Sequence, residues 1–174
     1  MPIAADDERS ELVNLETMDS ISFQLTPHVI SPSVSVNYND QGGIGASSVN
    51  QVYSNTSAEE ITVEFPYYRV GLANAGGMSV EAATAAMDRH RDFVRSLTLP
   101  GTRSDGLSKG APPLCLLTIP GHLVWKCRVR SFKYDRRIGQ DGKAMELKLN
   151  ITFREEWTTA LSSEDILEKG YNRG

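Results

Sequence analysis

The stretch LVWKCRVRSFKYDRRIGQDGKAMELKLNITFREEW, residues 123–157, carries the clearest strand pattern in the chain. In both halves apolar residues alternate with polar ones, as expected for strands with one buried face. Asp141-Gly142, between the halves, is a frequent hairpin-turn sequence. The pattern therefore predicts an antiparallel hairpin whose buried core includes Trp125, Leu147, Leu149, Ile151 and Phe153.

A short apolar run, LCLLTI at 114–119, precedes this hairpin and predicts another buried strand. If residues 120–122 form a three-residue turn, Cys115 faces Cys127 across the two strands, and all the apolar side chains share one side. Opposed cysteines of this kind can be bridged under oxidising conditions, whereas a reducing cytoplasm keeps them as thiols. The pattern alone leaves both states open.

The apolar period changes to that of a helix at about 79–97. Ser79 suits the N-cap, and Glu81 in the first turn suits the positive end of the helix dipole. Upstream, alternating apolar residues at 21–25, 34–38 and 61–65, and more weakly at 49–53, predict further strands. The expected fold is β-rich α+β: an antiparallel, tube-like β-barrel or sandwich with one amphipathic helix packed on it.

The predicted organisation has three parts. Residues 1–19, with six acidic residues and one arginine, are an acidic N-terminal arm. Residues 20–157 form the β domain, and residues 158–174 are a polar C-terminal tail.

Composition restricts the class of protein. A chain of 174 residues with net charge -4 is long enough for one well-buried domain, and it is not basic like most dedicated nucleic-acid-binding domains. The N-terminus lacks the pattern of a signal peptide, and no apolar run approaches the length of about 18 residues that a membrane helix needs. We therefore expect a soluble protein, made in a cytoplasm and not inserted in a membrane.

Motifs for chemistry are missing from the sequence. His28, His90 and His122 lie in no recognisable catalytic constellation, and the cluster Cys115, His122 and Cys127 lacks the spacing and the fourth ligand of a zinc site. The glycine spacing of a phosphate loop at 101–107 has Leu107 where a lysine is needed. The sequence predicts no catalytic residue, no cofactor site and no metal site.

Basic residues on the first hairpin strand admit two interpretations. Lys126, Arg128 and Arg130 could follow a phosphate backbone, as in a small β-barrel nucleic-acid-binding module. Such platforms usually interleave exposed aromatic residues, yet Trp125 lies on the opposite, apolar face and only Phe132 and Tyr134 share the basic parity. The pattern favours a basic face turned to water or to another protein.

The order of features resembles a known family. RDFVRSLTLP (91–100), GAPPLCLLTIPG (110–121) and the long hairpin follow one another as in baseplate hub and tube-initiator proteins of phage tails and related contractile injection systems. The resemblance covers about residues 20–157 and lies in order and spacing, at Pro112-Pro113, Trp125, Phe132, Tyr134, Gly142, Phe153, Glu155 and Glu156. Many members continue into a LysM module, for which the residues after Trp157 are too few.

This resemblance implies a non-enzymatic virion protein of the tail or baseplate, made in the bacterial host cytoplasm. It would form a ring, trimeric or hexameric, that joins the hub to the tail tube. Its partners would be its own copies and other tube, hub and baseplate proteins, with DNA only as cargo passing through the lumen. The expected subunit-contact residues are Lys126, Arg128, Arg130, Arg136, Arg137, Gly42, Gly43 and Ile44.

Overall fold

The structure, a computed structural model, describes residues 9–41, 50–101 and 110–156. Its strands are β1 (Glu11–Asn14), β2 (Ser20–Ser22), β3 (Ile30–Ser33), β4 (Val36–Gln41), β5 (Asn50–Thr56), β6 (Glu60–Tyr68), β7 (Cys115–Ile119), β8 (Leu123–Ile138) and β9 (Ala144–Glu155). The helices are α1 (Arg69–Gly76) and α2 (Val80–Ser96). The fold is β-rich α+β, as the sequence predicts.

Seven strands form one antiparallel sheet in the order β2-β1-β7-β8-β9-β6-β3. The turn at 120–122 sets the β7–β8 register, in which Cys115 faces Cys127 and Leu117 faces Trp125. This is the predicted register, and it follows from placing every apolar residue of both strands on one side. Both cysteines are free thiols.

One face of this sheet carries the core. Because apolar residues alternate along β6 and β9, Phe65, Leu149 and Phe153 all lie on that face, and each is fully buried. Helix α2 covers part of it with Met87 and Val94, which are also fully buried. The five residues predicted for the hairpin core are all buried: Trp125, Leu147, Leu149, Ile151 and Phe153.

The sheet curls until its two ends are close. Residues 23–29 connect β2 to β3, which lie at opposite edges of the sheet. The Phe23 ring stacks on Phe65 with centroids 3.6 Å apart. The Gln24 side-chain amide accepts from the Tyr68 backbone N–H at 2.6 Å and donates to the Tyr68 carbonyl at 3.1 Å. Side chains therefore join the ends, while the strand ladder of the described residues stays open. Of the predicted tube-like barrel or sandwich, the antiparallel sheet is present, but the described strands do not close into a barrel.

Strands β4 and β5, here called the ribbon, extend beyond the sheet. The chain runs almost directly from β3 into β4 and from β5 into β6, so the ribbon continues the β3–β6 pair. A hydrogen bond of 2.8 Å from the Ser57 N–H to the Ser35 carbonyl connects the two pairs. In the described chain, β4 and β5 pair only with each other.

Two elements differ from the sequence prediction. Part of the predicted arm is β1, whose Leu12 is fully buried and which pairs with both β2 and β7. A second helix, α1, precedes α2; it ends at Gly76 and is followed by the C-cap residue Gly77, which adopts a φ of 58°. The predicted tail at 158–174 lies outside the described residues, and so do Gly42, Gly43 and Ile44.

Candidate subunit-contact surface

A β-bulge in β8 decides which way its basic residues point. The β8–β9 register shifts between Val129 and Ser131, so Arg130 has no partner residue opposite it. Before the bulge, Val129 faces the buried Phe153, and after it Phe132 faces the buried Ile151. Since paired residues share a face, one extra residue returns Phe132 to the apolar side.

Beyond the bulge the predicted parity is therefore wrong. Tyr134 and Arg136 lie opposite Leu149 and Leu147, on the face covered by α2. Lys133, Asp135 and Arg137 take the polar face instead, opposite Asn150, Lys148 and Glu146. The basic residues of β8 thus divide between the two faces of the sheet.

Three of the predicted contact residues have partners inside the chain. The Arg128 Nε lies 3.1 Å from a Glu156 carboxylate oxygen, and this guanidinium also donates to the Pro112 carbonyl. Arg130 is paired with Glu60. Arg136 is paired with Asp88 of α2. These ion pairs fasten neighbouring segments to the sheet, and the role of these residues in subunit contacts stays a prediction.

The remaining cations are exposed. In the described part of the chain, Lys126, Lys133 and Arg137 are exposed and form no ion pair. Lys133 and Arg137 lie on the polar face beyond the bulge, where β8 has β9 on one side only. A protein partner with acidic or hydrogen-bonding groups can reach them there.

A groove runs along this part of β8. It has a volume of about 730 Å³ and lies between the end of α2, at Arg95 and Thr98, and residues 130–135. The Phe132 and Tyr134 rings stack with centroids 5.8 Å apart, and the Arg91 guanidinium lies 5.7 Å from the Tyr134 ring centroid. The groove therefore offers cations, aromatic surface and strand backbone side by side.

These aromatic rings do not complete a nucleic-acid platform. Phe132 and Tyr134 lie on the helix-covered side, whereas Lys126, Arg128 and Lys133 lie on the polar face. The described polar faces of β8 and β9 carry no aromatic residue between their charges. Base stacking next to phosphate contacts, which single-strand binders use, has no support there.

The sequence analysis predicted contacts at Gly42, Gly43 and Ile44, between the two ribbon strands, but not on the strands of the ribbon themselves. The large apolar side chains of the ribbon are exposed, with Val36 at 48%, Tyr38 at 56%, Val52 at 44% and Tyr53 at 57%. Tyr38 and Tyr53 contact each other edge to face across the two strands, with centroids 6.2 Å apart. The alternation around Val34, Val36 and Tyr38 was the available signal, but alternation does not reveal that a strand has nothing to pack against.

Cys115, Cys127 and His90 could take part in chemistry, but each of them contributes to packing instead. Burial raises the pKa of Cys115 to about 12 and raises the pKa of Cys127 as well, so neither thiol forms a nucleophilic thiolate near neutral pH. The His90 Nδ1 lies 3.0 Å from the hydroxyl of the buried Tyr67, between α2 and β6. Across the described ranges, no group of three His, Cys, Asp or Glu side chains could hold a metal.

Neither described helix is long and apolar enough to cross a membrane.

No protein-family model and no curated protein matches this sequence. Among solved structures, the chain is similar to one from the tail of an empty GTA particle with C6 symmetry, at 9% identity and a TM-score of 0.36, covering 92% of this chain and 99% of that one. It is also similar to a chain from the six-fold symmetrised baseplate of the anti-feeding prophage (AFP), at 11% identity and a TM-score of 0.33, covering 90% of this chain and 95% of that one. At these values the likenesses carry no functional argument, and the chain's own residues must supply it.

Proposed function

We propose that this chain is a non-enzymatic structural subunit of a phage tail: a ring-forming baseplate hub or tube-initiator protein that joins the hub to the tail tube. One observation carries the proposal. Among the strand edges that have no partner in the described chain, two differ in character: the outer edge of ribbon strand β4 and the part of β8 beyond Cys127. Exposed strand edges of a soluble protein are usually shortened, covered or used for pairing with another chain.

The two edges differ, and this decides the kind of assembly they support. A contact between two different surfaces of identical subunits repeats head to tail, and it closes into a ring when the rotation between subunits permits. A self-complementary contact would instead stop at a dimer. Unlike edges therefore favour a ring, and trimer and hexamer both fit.

The charge of the chain supports a role next to DNA without tight binding. Arg128 and Arg130 are paired with Glu156 and Glu60, so part of the positive charge of β8 is neutralised within the chain. The whole chain has a net charge of -4. Because like charge discourages adhesion, this overall negative charge supports a role in which DNA passes only as cargo. The polar face does not add to this support, since its Lys126, Lys133 and Arg137 form no ion pair in the described chain.

The proposal is tested by the assembly of the purified protein and by its place in virions. Negative-stain images with a mass measurement should show closed rings, and purified virions should contain several copies of the chain. A folded protein that stays monomeric at every concentration, or virions that lack it, would contradict the proposal. So would tight DNA binding that weakens steeply with salt in a gel-shift assay, which would favour the nucleic-acid-binding module instead.

A further inference from the structure

We propose that neighbouring copies join by strand pairing between two specific edges. The free edge of β4 in one copy pairs with residues 131–138 of β8, here called the distal β8 edge, in the next copy. The inference rests on the proposed function, since it names the contact by which the ring would form. Backbone hydrogen bonds between the two edges would continue the sheet from one subunit into the next.

In the described chain, the distal β8 edge has no partner strand. Strand β7 pairs with β8 only from Leu123 to Cys127, while β8 continues to Ile138 with β9 on its other side. Every second residue of such an edge directs its N–H and C=O away from the sheet. The groove beside α2 runs along residues 130–135, so an incoming strand has room at this edge.

The β4 edge lacks a partner as well. Among the described residues β4 pairs with β5 alone, and a two-stranded hairpin by itself is only marginally stable in water. Its exposed Val36 and Tyr38 would lose contact with water against a further strand. Strand β3, at the same edge, is less suited because Pro32 has no N–H to donate.

Length and charge match between the two edges. Strand β4 has six residues, Val36–Gln41, and the distal β8 edge spans 131–138. On the polar face of the distal β8 edge, Lys133 and Arg137, which form no ion pair in the described chain, flank Asp135 and leave this face net positive, whereas Asp40 is the one charged residue of β4. Charged side chains on an edge strand disfavour indiscriminate pairing, so an edge that brings a carboxylate is selected over an uncharged one.

Each copy offers one edge of each kind. Pairing therefore proceeds from β4 of one subunit to β8 of the next, and both edges of every subunit are covered only when the ring closes. This contact also gives a role to the exposed Val36 and Tyr38 of the ribbon, which would be covered by the neighbouring copy.

Disulfide cross-linking tests the contact directly. Two proteins with one added cysteine each, Tyr38→Cys on β4, on the same face as Asp40, and Lys133→Cys on the distal β8 edge, are mixed under mild oxidation and the products are weighed by mass spectrometry. We expect mixed dimers that join the two variants. Thr62→Cys is the matched control, because Thr62 is exposed but lies in the middle of the sheet, paired on both sides. The native Cys115 and Cys127 are buried and should not compete.

A charge exchange gives a second readout that does not depend on register. Asp40→Lys should abolish the assembled species in size-exclusion chromatography while leaving the thermal unfolding of the monomer unchanged. Adding Lys133→Glu and Arg137→Glu to the same chain should restore assembly. Restoration is expected only if these side chains meet across the contact.

The outcomes separate the two proposals. Rings that form with cross-links no more frequent than in the Thr62→Cys control, and that ignore the charge exchange, would overturn the edge pairing and leave the proposed function standing. A folded wild-type chain that neither assembles nor cross-links would overturn both.

Discussion

The β3–β6 pair and the β4–β5 ribbon are two successive parts of one long strand pair, and their surroundings differ. Strands β3 and β6 lie within the sheet, beside β9, whereas β4 and β5 continue the same pair outside it. Phe65 in the first part is fully buried, while Tyr53 in the second is 57% exposed. Alternating sequence thus specifies strands in both parts, but a third element decides whether the apolar face becomes core.

The largest expected contrast comes from truncating an aromatic residue in each part. Phe65→Ala removes the ring stacked on Phe23 and should lower the free energy of unfolding by about 3–5 kcal/mol. Tyr53→Ala in the ribbon should change it by less than about 0.5 kcal/mol, because an exposed ring leaves no cavity. Urea unfolding of both variants measures the difference. A comparable loss for Tyr53→Ala would mean that the ribbon packs against the body, and the comparison would fail.

Two neighbouring basic residues of β8 sharpen the comparison within the sheet. Arg128 holds the Pro112 carbonyl and the Glu156 carboxylate, whereas Lys126 has no ion pair in the described ranges. Arg128→Ala should therefore destabilise the monomer by about 1 kcal/mol, allowing for its partial exposure. Lys126→Ala should stay within about 0.5 kcal/mol of the wild type. Equal effects in chemical denaturation would show that the Arg128 contacts add nothing to the fold.

The smallest expected effect is a loss of folding stability at acidic pH, and it should arise in the sheet and α2 rather than in the ribbon. Burial, and then the charge of Arg89, lower the pKa of His90 from its ordinary value of 6.5. The folded chain therefore binds this proton less readily than the unfolded chain, so stability is complete above about pH 6.5 and declines as the pH falls below it. His90→Gln should reduce the slope of thermal stability in this window. His122→Gln, at an exposed turn position, is the control and should leave the slope unchanged.

Much of the sheet and of α2 could be predicted from the sequence. Alternation over 144–156 located β9, the Ser79 cap and apolar stripe located α2, and the requirement for one apolar face fixed the β7–β8 register. In each case several residues independently indicate which face of the element is buried, so one misleading residue does not change the prediction. The hairpin core followed from that redundancy.

The features that the sequence did not predict are each indicated by very few residues or by none. Strand β1 has four residues, and the acidic residues around Leu12 resemble those of an arm. The bulge at Arg130 is one unmatched residue, and no repeated signal marks the point where it reverses the parity of β8. The exposed state of the ribbon depends on the absence of a neighbour, which a local pattern does not encode.

The two hydrogen bonds between the Gln24 side chain and the Tyr68 backbone affect how the molecule can open locally. In the described chain, the sheet ends are joined by the Phe23 ring, which contacts Phe65 and Tyr67, and by the Gln24 amide, and not by paired strands. This leaves a seam along which the molecule can open without separating paired strands. Such a sub-global opening requires less free energy than unfolding, because it exposes Phe23 while β8 and β9 stay paired. The curvature of the sheet is thus held by side chains at this seam, and it can change there without altering the pairing of any described strands.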